Sequence, residues 1–216
     1  MKLSYLGLIG DVHAEAERLE AALLFLRQMG VEHILCVGDI VDGPGDVDRC
    51  CELLDQARVA VVRGNHDRWL VDNQMRDLPE ATQREALSDR SKTFIESLPT
   101  TRTFETVAGR LLLCHGLGDN DMQSITPQDY GYALEVKDEL HELIQQRQFR
   151  FIVNGHTHRR MVRHFEHLTV INAGTLYHAH EPCIALVDFK SNTADFLEIT
   201  GNVIGKPNDT SRLFLI

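Results

Sequence analysis

No apolar run in this chain approaches the roughly 18 residues of a membrane-spanning helix, so no membrane partner is expected. Residues 1–10 hold one Lys and a short apolar run that stops at Gly10-Asp11, without the length or cleavage pattern of a secretory leader; a soluble, cytoplasmic protein is the expectation. Basic charge is scarce. Against 32 Asp plus Glu stand 22 Lys plus Arg, a formal charge of −10 with no visible basic cluster, which makes nucleic acid an improbable general partner. Cys-x-x-Cys pairs are missing too: Cys36, Cys50, Cys51, Cys114 and Cys183 are an odd set that points to reduced thiols. The adjacent Cys50 and Cys51 are read as packing positions on a helix. With no internal repeat or low-complexity tract, the 216 residues read as one domain, 1–216, large enough to bury a core.

The first third of the chain alternates strand and helix patterns. Residues 3–9 read as a buried strand, 15–29 as a helix with apolar positions at 16, 19, 23 and 26, 33–37 as a strand, 47–57 as a helix and 58–63 as a strand. Such alternation implies parallel pairing. Residues 68–98 turn polar and helical, with Pro79 as a helix start and Pro99 as a stop, and read as a cap over the sheet edge. A hairpin follows over 101–107 and 110–114, then a polar loop over 116–128 and a helix over 132–147 with Ala133, Val136, Leu140, Leu143 and Ile144 on one face. From residue 149 onward the pattern is almost purely strand: 149–153, 160–165, 168–172, 183–189 and 194–199. Parallel strands first and antiparallel strands later suggest an α/β protein of two mixed sheets packed together and flanked by helices. The tail 201–216 can dock on the body or add a strand.

Five short pieces stand at the ends of these strands: Asp11-Val12-His13, Gly38-Asp39, Gly64-Asn65-His66-Asp67, Cys114-His115-Gly116 and Gly155-His156-Thr157-His158. Crevices beyond the carboxyl ends of strands are where α/β folds bind ligands, so the Asp, Asn and His side chains are expected along one edge of one sheet. In Asp11-x-His13 and His156-x-His158, alternate residues of an extended exit would face one side. The glycines at 38, 64, 116 and 155 fit crowded loops that need close approach or positive φ. Carboxylate oxygen and imidazole nitrogen together suit borderline divalent metals, and two of these about 3.5 to 4 Å apart need a bridging carboxylate.

The order and content of the pieces resemble the calcineurin-like metallophosphoesterase superfamily over residues 11–158. The resemblance implies an α/β/β/α sandwich and a binuclear centre. Asp11, His13, Asp39 and His158 would hold one metal, and Asp39, Asn65, His115 and His156 the other, with Asp39 as the bridge. It further implies phosphomonoester or phosphodiester hydrolysis by a metal-bridging hydroxide on a small phosphorylated substrate, with His66 as general acid. Asp42 has the spacing of the carboxylate that supports that histidine in protein serine/threonine phosphatases, and Asp67 competes for the role. The metals could be Mn, Fe, Zn, Co or Ni.

Departures from the pattern refine the reading. Position 43, where the protein phosphatases place a phosphate-gripping arginine, is Gly, and Gly43-Pro44-Gly45 is closer to bacterial small phosphoesterases and symmetrical dinucleotide tetraphosphatases. A phosphoprotein or dinucleotide-polyphosphate phosphatase is the enzymatic alternative. A protein-interaction scaffold, as in a retromer subunit that resembles this family, is the non-enzymatic one, disfavoured because none of the seven proposed ligands is missing. Asn172-Ala173-Gly174-Thr175 resembles the family's Asn-x-Gly-Ser/Thr turn, and His178 and His180 beyond it fit substrate contact and surface positions equally. Arg63 stands as it does in the protein phosphatases, or pairs with a nearby carboxylate. His33, His141, His164 and His167 are read as solvated or core residues, and Asp46, Asp48 and Asp55 as helix-end and surface charges.

Overall fold

The computed structural model describes residues 2–214. Strand β1 (Tyr5–Ile9), helix α1 (Ala16–Gln28), β2 (His33–Cys36), α2 (Val47–Gln56) and β3 (Ala60–Val61) follow one another, and β1, β2 and β3 pair in parallel. The other side of β1 is taken by β9 (Cys183–Asp188), antiparallel, followed by β10 (Thr193–Thr200) and β11 (Val203–Arg212). This gives a mixed sheet in the order β11-β10-β9-β1-β2-β3. A second mixed sheet contains β4 (Thr101–Thr106), β5 (Gly109–Cys114), β6 (Phe151–Asn154), β7 (Met161–Phe165) and β8 (Leu168–Asn172), in the order β4-β5-β6-β8-β7. Its β5, β6 and β8 are parallel, while β4 and β7 run against them.

Strand periodicity sorts the apolar side chains into three cores. Leu6 and Leu8 of β1 and Leu35 of β2 face Leu111 and Leu113 of β5 and Phe151 and Val153 of β6 between the sheets. Ile9, Ile184 and Leu186 point the other way, against Leu19, Leu23 and Leu26 of α1 and Leu53 and Leu54 of α2. Gly7 lets α1 lie close, since a Cβ there would be 2.7 Å from Leu26 Cδ2. On the far face of the second sheet, Leu112, Ile152 and Val170 pack on Leu140 and Leu143 of α6 (Asp138–Gln146). The layers are therefore α/β/β/α, two mixed sheets flanked by helices. All five cysteines are free and buried, with Cys50 and Cys51 of α2 in the apolar core beneath the first sheet's helices.

Three segments differ from the sequence reading. Pro79 starts no helix: α3 (Asn65–Val71) begins earlier, a 3₁₀ turn covers Arg84–Ala86, and α4 (Asp89–Glu96) begins at Ser88, whose hydroxyl accepts from the Ser91 N–H. That serine cap is a stronger start signal than the proline. The helix expected over 132–147 is broken into α5 (Tyr132–Glu135) and α6, with Val136 half exposed and Lys137 leaving helical geometry to sit 3.5 Å from Asp129. Ala133 is exposed, so the apolar stripe starts at Leu134. The tail adds β11 as an edge strand, and Leu213 is buried between the sheets. Leu215 and Ile216 lie outside the described residues.

Phe151 is fully buried and its ring lies 4.9 Å from that of Phe189 between the sheets. Phe151→Ala is expected to destabilise the fold by about 3–5 kcal/mol. A lower urea midpoint with an unchanged m-value checks it.

Candidate metal centre

The five pieces do converge, but on two sheets and not on one edge. Asp11, Asp39 and Asn65 follow β1, β2 and β3 of the first sheet, while His115 and His156 follow β5 and β6 of the second. Parallel strands in both sheets end on the same side of the sandwich, so the site closes over the seam between them. Within the second sheet Gly155 N–H donates to His115 O at 2.9 Å, and across the seam Asp11 O accepts from Leu176 N–H at 2.8 Å and Thr175 Oγ1 at 2.9 Å. Asn172, at the end of β8, donates to Gly155 O at 2.6 Å and accepts from Gly174 N–H at 3.0 Å.

Convergence depends on left-handed backbone and not on extended exits. His13 (φ 45°), Asp39 (φ 47°), Asp42 (φ 61°), His156 (φ 68°) and His158 (φ 58°) all adopt positive φ. Non-glycine residues are held there only when their surroundings demand it, and such strain gathers at functional sites. Of the four glycines expected to relax the loops, only Gly38 has positive φ. The others serve close approach: a Cβ on Gly64 would lie 2.1 Å from Asp39 Oδ1, and one on Gly155 2.4 Å from Val37 Cγ2.

Asp39 lies at the middle. Its Oδ2 is 3.2 Å from His115 Nε2 and 3.9 Å from His13 Nε2, while its Oδ1 accepts the His66 N–H at 2.8 Å. Asn65 Oδ1 is 2.9 Å from both His115 Nε2 and His156 Nδ1. His13 and His158 meet through their Nε2 atoms at 3.0 Å. Asp11 accepts the His156 N–H at 3.1 Å and lies 3.6 Å from His115 Nδ1. Two compact sets of metal-type donors result, His13 with Asp39 and His66, and Asp11 with Asp39 and His115; each set has its donor atoms within 4.8 Å of one another, and Asp39 belongs to both. His66 thus stands nearer the first set than the sequence pattern implied, and Asp11 nearer the second.

The donor chemistry fits cations. His13 Nδ1–H can donate to Asp42 O at 2.8 Å and His115 Nδ1–H to Val37 O at 2.8 Å, which turns both Nε2 lone pairs inward. Two imidazole nitrogens 3.0 Å apart, as in His13 and His158, need a proton or a cation between them. Burial pushes the Asp11 carboxyl up to about 6 against the pull of His115. Burial acts on Asp39 in the same sense, yet His115 and His13 hold its carboxyl well below the usual range. His115, in turn, is raised to about 10 by Asp39 in spite of its burial, and His158 falls to about 3 through burial beside His13. Protons on histidine thus answer the buried negative charge, and a divalent ion would displace them.

Beside this cluster, the two candidate partners of His66 separate. Asp42 Oδ2 is 2.8 Å from His66 Nδ1 and its carboxylate receives both arms of Arg76, at 2.8 and 2.9 Å. Thr82 adds its N–H at 2.8 Å. Burial works against the charge on both His66 and Asp42, but their mutual hydrogen bond, with Arg76 on Asp42, raises the imidazole pKa and lowers the carboxyl pKa. Asp67 is engaged elsewhere: it accepts N–H groups from Ile40 at 2.8 Å, Val41 at 3.4 Å and Gly64 at 3.0 Å, binding the loop after β2 to the start of α3. Gly43 has no room for a phosphate-gripping side chain, as its Cβ would lie 1.9 Å from His13 O.

The remaining candidates divide. His180 stacks edge-on against His158 at 4.7 Å, whereas His178 turns away to Glu15, 2.8 Å from its Nδ1. Arg63 donates its backbone N–H to Pro99 O at 2.8 Å. Asp46 caps α2 by accepting the Arg49 N–H at 2.9 Å, and Asp48 and Asp55 pair with Ser88 and Arg90. Sequence reasoning missed Arg76 and Thr82, which lie 34 and 40 residues from Asp42, and Tyr177, 5.4 Å from His13. No local motif marks them.

Comparison with known proteins agrees with this geometry. The family model described as calcineurin-like phosphoesterase superfamily domain matches residues 5–192. Uncharacterized protein MJ0912 of Methanocaldococcus jannaschii is 27% identical over 106 residues, 46% of this chain and 44% of that protein, so the match spans less than half the length of that relative. Hypothetical protein PH1004 from Pyrococcus horikoshii OT3 has a similar structure, with a TM-score of 0.72 at 16% identity over 90% of this chain and 87% of that one. A metallophosphoesterase from Sphaerobacter thermophilus gives a TM-score of 0.67 at 19% identity over 92% and 89%. At these identities the structural likeness speaks for the fold alone.

Asp67→Ala leaves three loop N–H groups without their acceptor and is expected to cost about 2–4 kcal/mol. Thermal unfolding reads this directly. A midpoint within a degree of the parent protein would remove Asp67 from its supporting role.

Proposed function

This chain belongs to the calcineurin-like phosphoesterase superfamily, and from that premise we propose that it hydrolyses a phosphomonoester or phosphodiester of a compact substrate at a binuclear metal centre. Metal-dependent phosphoester hydrolysis is the general activity of the superfamily. The observation that carries the finer reading is Asp39, shared by both donor sets at the seam of the sheets. Following the family pattern, Asp11, His13, Asp39 and His158 would hold one ion and Asp39, Asn65, His115 and His156 the other, with Asp11 also within reach of the second set. Oxygen and imidazole donors suit Mn, Fe, Zn, Co or Ni. When bound, such ions would supply charge neutralisation on the phosphate oxygens and an activated water.

The protein's own residues do the rest. His13 and His115 are held in one tautomer by the Asp42 and Val37 carbonyls, so their ligating nitrogens need no reorientation. His66, part-exposed beside the cluster, would act as the general acid. In the reaction the oxygen of water bonds to phosphorus, the ester P–O bond breaks, the His66 proton goes to the departing oxygen and a proton of the water is released. Asp42 keeps the imidazole oriented and charged, and Arg76 fixes Asp42 in turn. Gly43 disfavours a phosphoprotein phosphatase on this backbone. The complete ligand set disfavours a pure interaction scaffold. We read residues 1–216 as one such domain, with 68–98 capping the site edge through Arg76 and Thr82. Among the described residues no helix is long and apolar enough to cross a membrane; a cytoplasmic location is part of the same proposal.

Elemental analysis of the purified protein, followed by a screen over phosphomonoesters, diesters and dinucleotides, tests the reading. Asp39→Asn is expected to abolish turnover and lower the content of both metals, and retention of two ions per chain at a near-parental rate would sink the assignment. His66→Ala should keep both ions and lose most on alkyl phosphates, whose leaving oxygen needs a proton, while activated aryl esters are partly spared. Asp42→Asn should lower the rate by a factor on the order of 10² to 10⁴ with metal content intact. A steady-state series over leaving groups of graded pKa checks both variants, and equal slopes for His66→Ala and the parent protein would withdraw the general-acid role.

A further inference from the structure

Trp69 is the chain's single tryptophan. It is part-exposed and belongs to none of the three apolar cores, in contrast to Tyr5 and Phe94, which pack on the first. Its ring instead lies 4.7 Å from that of His66, at an interplanar angle of 60°. The two residues are three apart on α3, so they share a helix face. Among the described residues the Trp69 indole N–H donates to no group. The helix that carries it is braced by Arg68, whose Nε and Nη2 donate to Asp121 at 2.6 and 3.0 Å.

A row of rings runs past the site: Tyr177 is 5.4 Å from His13, His13 is 5.0 Å from His66, and Trp69 follows at 4.7 Å. Its two ends differ in kind. The Tyr177 hydroxyl donates to Glu80 Oε2 at 3.0 Å, which ties that ring to the segment before α4 and accounts for its place. Trp69 has no such tether and sits on the His66 side. The largest apolar side chain of the protein is thus held on a braced helix, next to the residue that faces the departing oxygen, without a core to fill.

Resting on the phosphoesterase reading and on His66 facing the leaving group, we infer that Trp69 is the stacking platform for a flat aromatic ring carried by the leaving alcohol. The substrate class is then nucleoside or aryl phosphoesters in preference to sugar or alkyl phosphoesters. An indole face offers stacking at low entropic cost, and base–aromatic stacking changes affinity on the order of tenfold or more per ring.

Trp69 itself reports the test, because its fluorescence is the only indole signal in the chain. The full-length protein with manganese is titrated with adenosine 5′-monophosphate, ribose 5-phosphate, benzyl phosphate and cyclohexylmethyl phosphate, and kcat and KM are measured on the same four compounds. Quenching by the first and third, with a kcat/KM advantage of about tenfold or more over their non-aromatic counterparts, is expected. Advantage for the nucleotide alone assigns the platform to nucleosides, and advantage for both assigns it to aromatic esters generally. In Trp69→Leu each advantage should fall towards one, mostly through KM, with Trp69→Phe in between. Unquenched fluorescence, or an advantage that survives Trp69→Leu, overturns the inference. Turnover of all four compounds without quenching would leave the phosphoesterase reading standing while this one falls. Quenching without turnover of any would keep Trp69 as a ring-binding face but withdraw the phosphoesterase reading and, with it, the substrate class inferred here.

Discussion

Asp39 carries a negative charge at 1% exposure, and much of the molecule is arranged around keeping it there. Asp11 and Asp67, also buried, crowd the same region, so carboxylates that would repel one another share a space closed to water. Each is met by fixed dipoles: the His66 N–H on Asp39, the His156 N–H on Asp11, and three loop N–H groups on Asp67. Bare glycine at 64 lets the backbone come within reach of the Asp39 carboxylate. What the dipoles leave unbalanced falls on His115, whose imidazole pKa is raised by Asp39 beside it in spite of its burial. A buried charge of this kind is costly unless paired, so whatever answers it also steadies the loops that carry Asp11, Asp39 and Asp67.

The site divides into an inner and an outer half with different electrostatics. Inside, His115 and Asn65 face Asp39 with almost no access to solvent. Outside, His66, Asp42 and Arg76 form a line of alternating charge that runs from the cluster to the segment between α3 and α4. The bidentate Arg76–Asp42 pair is the geometrically specific kind, and it makes the position of the imidazole depend on a segment that contributes no metal-type ligand. Tyr177 and Glu80 clasp the same segment from the opposite side.

Local patterns along the chain account for much of this arrangement. Alternation of apolar residues along β1, β5 and β8 separates the inter-sheet core from the helical faces, and that period is a local property. Asp11, His13, Asp39, Asn65, His115, His156 and His158 are legible in the sequence because Gly, Asp and His directly after an apolar run form a compact local signal. What is not legible is non-local. Nothing in residues 183–188 announces that they pair with β1, or that β5 and β6 belong to a separate sheet. The left-handed φ at His13, Asp39, His156 and His158 is also hidden, since the expected burden falls on glycine and the structure places it on the clustered Asp and His residues themselves. Arg76 escapes for the same reason as β9: its partner is set by tertiary packing and not by spacing.

The placing of β1 bears on how such a chain can be made. Of the strands described it is the first to leave the ribosome, and its two neighbours are β2 and β9, the latter ending at Asp188. A nascent chain can assemble β1, β2 and β3 with α1 and α2 from local contacts. It then carries an unpaired strand edge and every Asp, Asn and His of the clustered site, complete by His158, before the strand that covers that edge exists. Pairings of such long sequence separation form late, and open edges invite association in the interval. During synthesis, then, this protein presents a cluster of Asp, Asn and His side chains on an unfinished sheet, and fast elongation or chaperones would shorten the interval in which that edge is open.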